Sequence, residues 1–182
     1  MSPVNRFRAD LAVTACAAFL VALSASFAHA QKPDARIDPQ RFRYKTVAQC
    51  EKILGKVAYK DETNKNGFDR DSWDHIVYYF ASRIPGIARI AVYRCPEHGA
   101  GGPLAQNIRQ VEYHFPKGTV TWQQAFDKIG VPKNGVTARK DQYGLTLENM
   151  SRRVADEATW TPANKDEPKY DVLNFAWYYA NP

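Results

Sequence analysis

Two short segments with the same cap constrain this chain more than any other feature. Thr46-Val47-Ala48-Gln49 sets a hydroxyl and a glutamine three residues apart at the head of an apolar run. This is a capping box, in which each side chain satisfies the other residue's orphan backbone N–H. Val47, Cys50, Ile53 and Leu54 then share one helical face, and Gly55 stops the run. The grammar returns at Thr121 and Gln124, with Trp122, Ala125, Phe126 and Ile129 as the stripe and Gly130 as the stop. Thr46-Val47-x-Gln49-x-x-x-x-Leu54-Gly55 matches Thr121-Trp122-x-Gln124-x-x-x-x-Ile129-Gly130 without a gap.

Aromatic, β-branched segments follow each helix. Trp73 to Ala81 and Ile87 to Cys95 read as strands joined at Pro85-Gly86, a type II turn pair. Asn107 to Phe115 alternates, with Val111, Tyr113 and Phe115 on one face and Gln110, Glu112 and His114 on the other. Lys60 to Ser72 reads as a polar loop. In the second half, Val136 to Tyr143 reads as a short strand, and Leu147, Met150, Val154 and Ala155 suggest another short helix. Trp160 to Tyr170, with Pro162 and Pro168, reads as irregular, and Val172 to Tyr179 as a last strand. The fold class expected is α+β, with helices packed on one face of an antiparallel sheet. Residues 46–182 form a single domain, possible repeats being 46–118 and 119–182.

The capped helix ending in Leu-Gly or Ile-Gly before an aromatic strand, twice at this spacing, resembles the tandem fold of β-lactamase-inhibitor proteins. The small outer-membrane assembly lipoproteins use a related unit. The resemblance implies helices on one face of an antiparallel sheet whose open face grips a partner protein. This chain departs from it in a cysteine pair spanning the first helix and the second strand.

The first thirty residues have the layout of a secretory signal peptide: Arg6 and Arg8, an uncharged run from Leu11 to Phe27, then Ala28-His29-Ala30. The run falls short of the ~20 residues of a spanning helix, so no transmembrane segment is expected in the mature chain. Val13-Thr14-Ala15-Cys16 superficially fits a lipoprotein box, but the apolar run continues past Cys16. Export to periplasm or medium is the expected localisation. Cys50 and Cys95 are then the cysteines left in the mature chain, and their even count in an exported protein reads as a disulfide. Closing that loop is worth ~4 kcal/mol in the chain-entropy model.

The formal charge is +6, and the leader's Arg6, Arg8 and Asp10 contribute a net +1 of it. Gln31 to Lys45 carries Lys32, Arg36, Arg41, Arg43 and Lys45 with Pro33 and Pro39, and reads as an extended basic arm. Outside the cytosol the matching anions are envelope polymers, lipid headgroups or an acidic protein, not nucleic acid.

The functional hint is aromatic. Tyr78, Tyr79, Tyr93, Tyr113, Trp177, Tyr178 and Tyr179 fall on expected strands, and adjacent pairs must point to opposite faces. One of each pair then lies on the outer face, where Tyr and Trp supply contact area at low entropic cost. Arg89, Arg94 and Arg109 are placed to ring such a face. Glu112 and His114 are the weak catalytic pair, a base and an acid sharing one strand face. Glu62-x-Asn64-x-Asn66-Gly67 resembles the opening of a calcium loop, but Trp73 stands where its last ligand belongs. His75, His98 and His114 lack zinc spacing. No cofactor and no metal is expected. The reading is an exported, non-catalytic protein that binds a protein or anionic envelope component through an aromatic sheet face. The alternatives are a small secreted, ribonuclease-like hydrolase of phosphodiesters and a structural envelope protein held by its basic arm.

Overall fold

A computed structural model describes residues 37–64, 75–94 and 107–177. Pro33–Pro182 forms one compact unit, which contains every described residue. Both capping boxes form. Thr46 and Thr121 each accept from the backbone N–H three residues on, and Gln49 and Gln124 reach back to the cap. The helices are α1 (Val47–Leu54) and α2 (Trp122–Ile129). Gly130, at φ 76°, ends α2 in the left-handed region that glycine enters at least cost. Helices of two turns are not stable alone in water, so each depends on burying its stripe.

The described residues form eight strands: β1 (Tyr59–Asn64), β2 (His75–Ala81), β3 (Arg89–Arg94), β4 (Ile108–Pro116), β5 (Thr137–Lys140), β6 (Leu145–Glu148), β7 (Glu157–Thr161) and β8 (Tyr170–Ala176). They form one antiparallel sheet in the order β1-β2-β3-β4-β8-β7-β6-β5. Each helix is therefore followed by a four-strand meander, and the last strand of each meander meets the other at the β4–β8 seam. The architecture is α+β and dominated by its sheet.

Strand alternation sorts side chains onto two faces. One carries Ile90, Val92, Val111, Tyr113, Phe115, Leu173, Phe175, Ala158 and Trp160, all buried. Phe126 of α2 lies 5.8 Å from Phe175, which meets Tyr113 edge-on at 6.0 Å. Cys50, Ala125 and Ile129 belong to the same core. So do Ile37 and Phe42, from the stretch expected to be an extended arm. Its described part is folded instead: Pro39–Arg41 is a 3-10 turn, and the Tyr113 hydroxyl donates to the Ile37 carbonyl.

The turn at Pro85-Gly86 closes as expected, with Gly86 at φ 82° and the Ile87 N–H on the Ile84 carbonyl at 3.1 Å. Three local expectations are corrected. The polar stretch after Tyr59 is strand β1, because an edge strand needs no apolar alternation when solvent covers it. Leu147 lies on strand β6, and Met150, Val154 and Ala155 form no helix: Asn149 turns left-handed at φ 61°, and the chain then turns at residues 152–154. Glu157–Thr161 is strand β7 and runs into the stretch read as irregular.

Candidate functional site: the outer face of the sheet

The other face is the outer one, and its register is set by cross-strand pairs. One row runs Tyr59, Tyr79, Ala91, Glu112, Asn174, Thr159, Thr146 and Arg139, from β1 to β5 across all eight strands. The next runs Ala81, Arg89, His114, Val172 and Thr161. Where these rows cross the first meander, side chains stack into a column. Tyr59 and Tyr79 lie 5.8 Å apart with planes inclined by 27°. The Arg89 guanidinium sits 4.7 Å from the Tyr79 ring and 4.7 Å from the Tyr170 ring. Glu167, on the loop before β8, takes one end of that guanidinium at 2.7 Å. A planar cation held between two rings is fixed in orientation as well as position.

The column roofs a polar network. His114 contacts Tyr79 and Tyr170 edge-on at 6.3 and 5.7 Å, and its side chain is only 4% exposed. Its Nε2 lies 3.2 Å from Glu112 Oε2. Glu112 also accepts from the Tyr93 hydroxyl at 2.6 Å and from the Gln110 amide at 3.1 Å. Burial pushes the Tyr93 phenol far above its ordinary range, reinforced by the Glu112 charge, so it stays a donor. Burial also raises Tyr79, and Arg89 offsets part of that. Three buried atoms here find no partner among the described residues: Arg89 Nε, His114 Nδ1 and Asn174 Oδ1.

Asp171 braces the loop that carries Glu167. Its carboxylate is buried and accepts the Gly118 N–H at 2.7 Å and the Ala163 N–H at 2.8 Å. It thereby ties the turn after β4 to the loop after β7.

The residues singled out from sequence divide as follows. Tyr79, Tyr93, Arg89, Glu112 and His114 come together on the outer face. Tyr78 lies on the opposite face, with Lys60 over its ring at 5.7 Å. Tyr113 and Trp177 are not surface residues: both are in the core, and the Trp177 indole donates to the Val154 carbonyl at 2.7 Å. Strand parity sends Tyr113 inward with Val111 and Phe115, and Trp177 continues the inward series of Leu173 and Phe175. Arg109 is buried, and Arg94 sits at a register shift in β3. Tyr178, Tyr179, Cys95 and Asn66 lie outside the described residues. The first two calcium-loop positions fall on β1, where Glu62 is ion-paired with Lys60.

Cys50 is a free, buried thiol whose pKa burial pushes up to about 12, the opposite of an activated nucleophile. Arg94, the residue before Cys95, pairs with Ile108. Asn107 beside it bridges Thr46, at the cap of the helix that holds Cys50.

Tyr59, Tyr170 and Glu167 join the site without being among its expected residues. Tyr59 was legible as the apolar head of a polar segment. Tyr170 was legible as the residue opening an alternating run with Val172 and Asn174.

No protein-family model matches this chain, and no curated protein does. A crystal structure of a cysteine-rich secretory protein from Staphylococcus aureus aligns over 80% of this chain at 10% identity and a TM-score of 0.30. The chain spans about half the length of that structure, 48%. A likeness at that score carries no argument about fold or activity. No helix among the described residues is long and apolar enough to cross a membrane.

Proposed function

We propose that this protein is exported and binds a protein or cell-envelope component, without catalysis, through the outer face of its sheet. The observation that carries the reading is the column of Tyr59, Tyr79, Arg89 and Tyr170, rigid and drawn from both meanders. Tyrosine and arginine are the residues that most often dominate binding energy when held in place. We read both helices as packed on the Tyr113 side, from the Phe126–Phe175 contact and the place of Cys50 in the core, which leaves the outer rows free. We read the two helix-and-meander units as tandem copies of one unit.

A phosphodiesterase has one observation in its favour, the 3.2 Å contact between Glu112 and His114. Their low exposure and the three donors already on Glu112 weigh against it, since an acid–base pair must reach its substrate.

The test is a photo-crosslinking amino acid at Tyr59, with Asp127 on α2 as the control position. The binding reading expects an adduct from Tyr59 alone, lost in Tyr79→Ala/Arg89→Ala protein that still melts cooperatively. Equal adducts from both positions, or none from Tyr59, would refute it. Turnover of RNA that His114→Ala abolishes would install the hydrolase instead.

A further inference from the structure

The two edges of the sheet are not alike. β1 carries Lys60, Asp61 and Glu62 in a row, and its register shifts between Asp61 and Asn64. Irregularity and a run of charges are devices that keep an edge from pairing. β5 is regular: its four residues pair with β6 in one register, and all four are exposed. Its outer-face side chains are drawn back onto the protein. Arg139 pairs with Glu148 at 2.6 Å, and the Thr137 hydroxyl accepts from the Asn149 amide at 3.1 Å. On the inner face Leu147 is buried, but its cross-strand neighbour Ala138 is exposed, so the core's last row ends uncovered.

Hydrogen-bond phase shows which backbone groups that edge offers. The Asp141 N–H donates to the Gly144 carbonyl at 3.0 Å, which sets a hydrogen-bonded pair at the mouth of the β5–β6 hairpin. Such pairs recur at every second residue of an antiparallel ladder, so Arg139 bonds Thr146 and Thr137 bonds Glu148. Ala138 and Lys140 fall between them. Their N–H and C=O groups point away from β6, and no described residue bonds them. The Val136 carbonyl continues the row, while the Val136 N–H donates to the Lys133 carbonyl at 3.1 Å.

We propose that β5 pairs with β5 of a second copy of this chain, antiparallel about a two-fold axis at Ala138. Charge and overlap select that register. An axis at Arg139 sets Arg139 against the partner's Arg139, and an axis at Lys140 does the same to Lys140; like charges directly opposite are unfavourable. An axis at Thr137 carries Lys140 past the end of the partner strand. With the axis at Ala138 the strands overlap fully, Arg139 faces the partner's Thr137, and Lys140 faces the partner's Val136. The Ala138 pair exchanges two hydrogen bonds, and each Lys140 N–H donates to the partner's Val136 carbonyl. The partner's Ala138 covers the open end of the Leu147 row. The hairpin tip, where Tyr143 is 75% exposed, comes alongside the partner's turn at 133–136. A contact of this size makes a weak dimer. Its axis is normal to the sheet, so the outer faces of both copies lie on one side and present their two columns as a bivalent surface. The pairing does not rest on what those faces bind.

The experiment is sedimentation velocity of the full chain from about 0.01 to 1 mM, the range of a weak interface. Ala138→Pro is the comparison. Proline there removes an outward N–H and leaves the ladder to β6 intact, as edge strands allow. The parent shifts toward dimer as concentration rises, and Ala138→Pro does not; the difference between them removes any association through the apolar leader. Cysteine crosslinking then reads the register. In Ala138→Cys the paired Cα atoms stand ~5.5 Å apart across the axis, within the span of a disulfide. The Arg139 and Lys140 pairs stand beyond that span. Mild oxidation therefore crosslinks Ala138→Cys several-fold faster than Arg139→Cys or Lys140→Cys, above the background of the parent's own cysteines. Identical sedimentation of the parent and Ala138→Pro at every concentration, or equal crosslinking of the cysteine variants, would overturn the proposal. So would crosslinking of Ala138→Cys to a different protein in a cell extract with none to itself, which gives the edge to a foreign strand. If Ala138→Pro melts early, the crosslinking pattern decides alone.

Discussion

Replacing Arg89 with alanine tests the column where it is most exposed to refutation. The side chain makes two cation–π contacts, each at 4.7 Å, worth about 0.5–1 kcal/mol apiece at a partly exposed site. Its ion pair with Glu167 joins side chains 31% and 33% exposed, so solvent screening holds it to about 0.5 kcal/mol. The loss comes to about 2 kcal/mol, or a fall of roughly 4–8 °C in the midpoint for a domain of this size. Thermal and urea melts measure it. Arg89→Lys keeps the charge but not the flat guanidinium and recovers less than half. A cycle with Tyr170→Leu gives the coupling directly. Removing the roof also exposes His114, so diethyl pyrocarbonate modification at that residue, followed by mass spectrometry, accelerates in Arg89→Ala. A loss below 0.5 kcal/mol, or a lysine variant as stable as the parent, would sink the argument that stacking holds the face together.

Two further outcomes follow from the core and its thiol. Phe126→Ala removes the ring that docks α2 on Phe175 and should cost about 3–5 kcal/mol, seen as an earlier but still cooperative melt; a variant within 1 kcal/mol of the parent would mean that the helix is held by something else. Cys50 should resist iodoacetamide at pH 8 in the folded protein. If it pairs with Cys95 after export, it resists in denaturant too, until reductant is added. If it stays a thiol, its raised pKa has a definite sign: the unfolded chain ionises first, so the thiol's contribution is complete below about pH 9 and is lost as pH rises toward 12. A folded chain whose Cys50 alkylates at the rate of a model peptide contradicts the burial.

Much of the architecture was legible because it obeys local rules. The capping boxes name their helices, and the alternation in β4 gives both faces of the central strand. The polar face of β4 held Glu112 and His114, and adjacent tyrosines in β2 guaranteed that one pointed outward. What escaped did so for physical reasons. In β1 nothing but Tyr59 is apolar, since an edge strand facing solvent has no core face to advertise. Leu147, Met150, Val154 and Ala155 fall at helical intervals by coincidence; Leu147 belongs to a strand, Val154 to the turn beyond it, and Met150 and Ala155 to the irregular chain on either side of that turn. Missing β1 and the start of β8 hid Tyr59 and Tyr170, two of the four members of the column. The pairing of Arg89 with Glu167 joins residues 78 apart, a separation over which no local pattern speaks.

The β4–β8 seam sets the order in which the molecule can be completed. Each half starts at a rim of the sheet and finishes in its middle, so synthesis delivers the centre last. Until Tyr170–Ala176 leaves the ribosome, the finished first meander ends in an apolar rim at Val111, Tyr113 and Phe115 with no neighbour to cover it. A chain that stops before that point still displays a sticky margin, so Tyr170–Ala176 is the segment whose arrival closes the sheet over both halves.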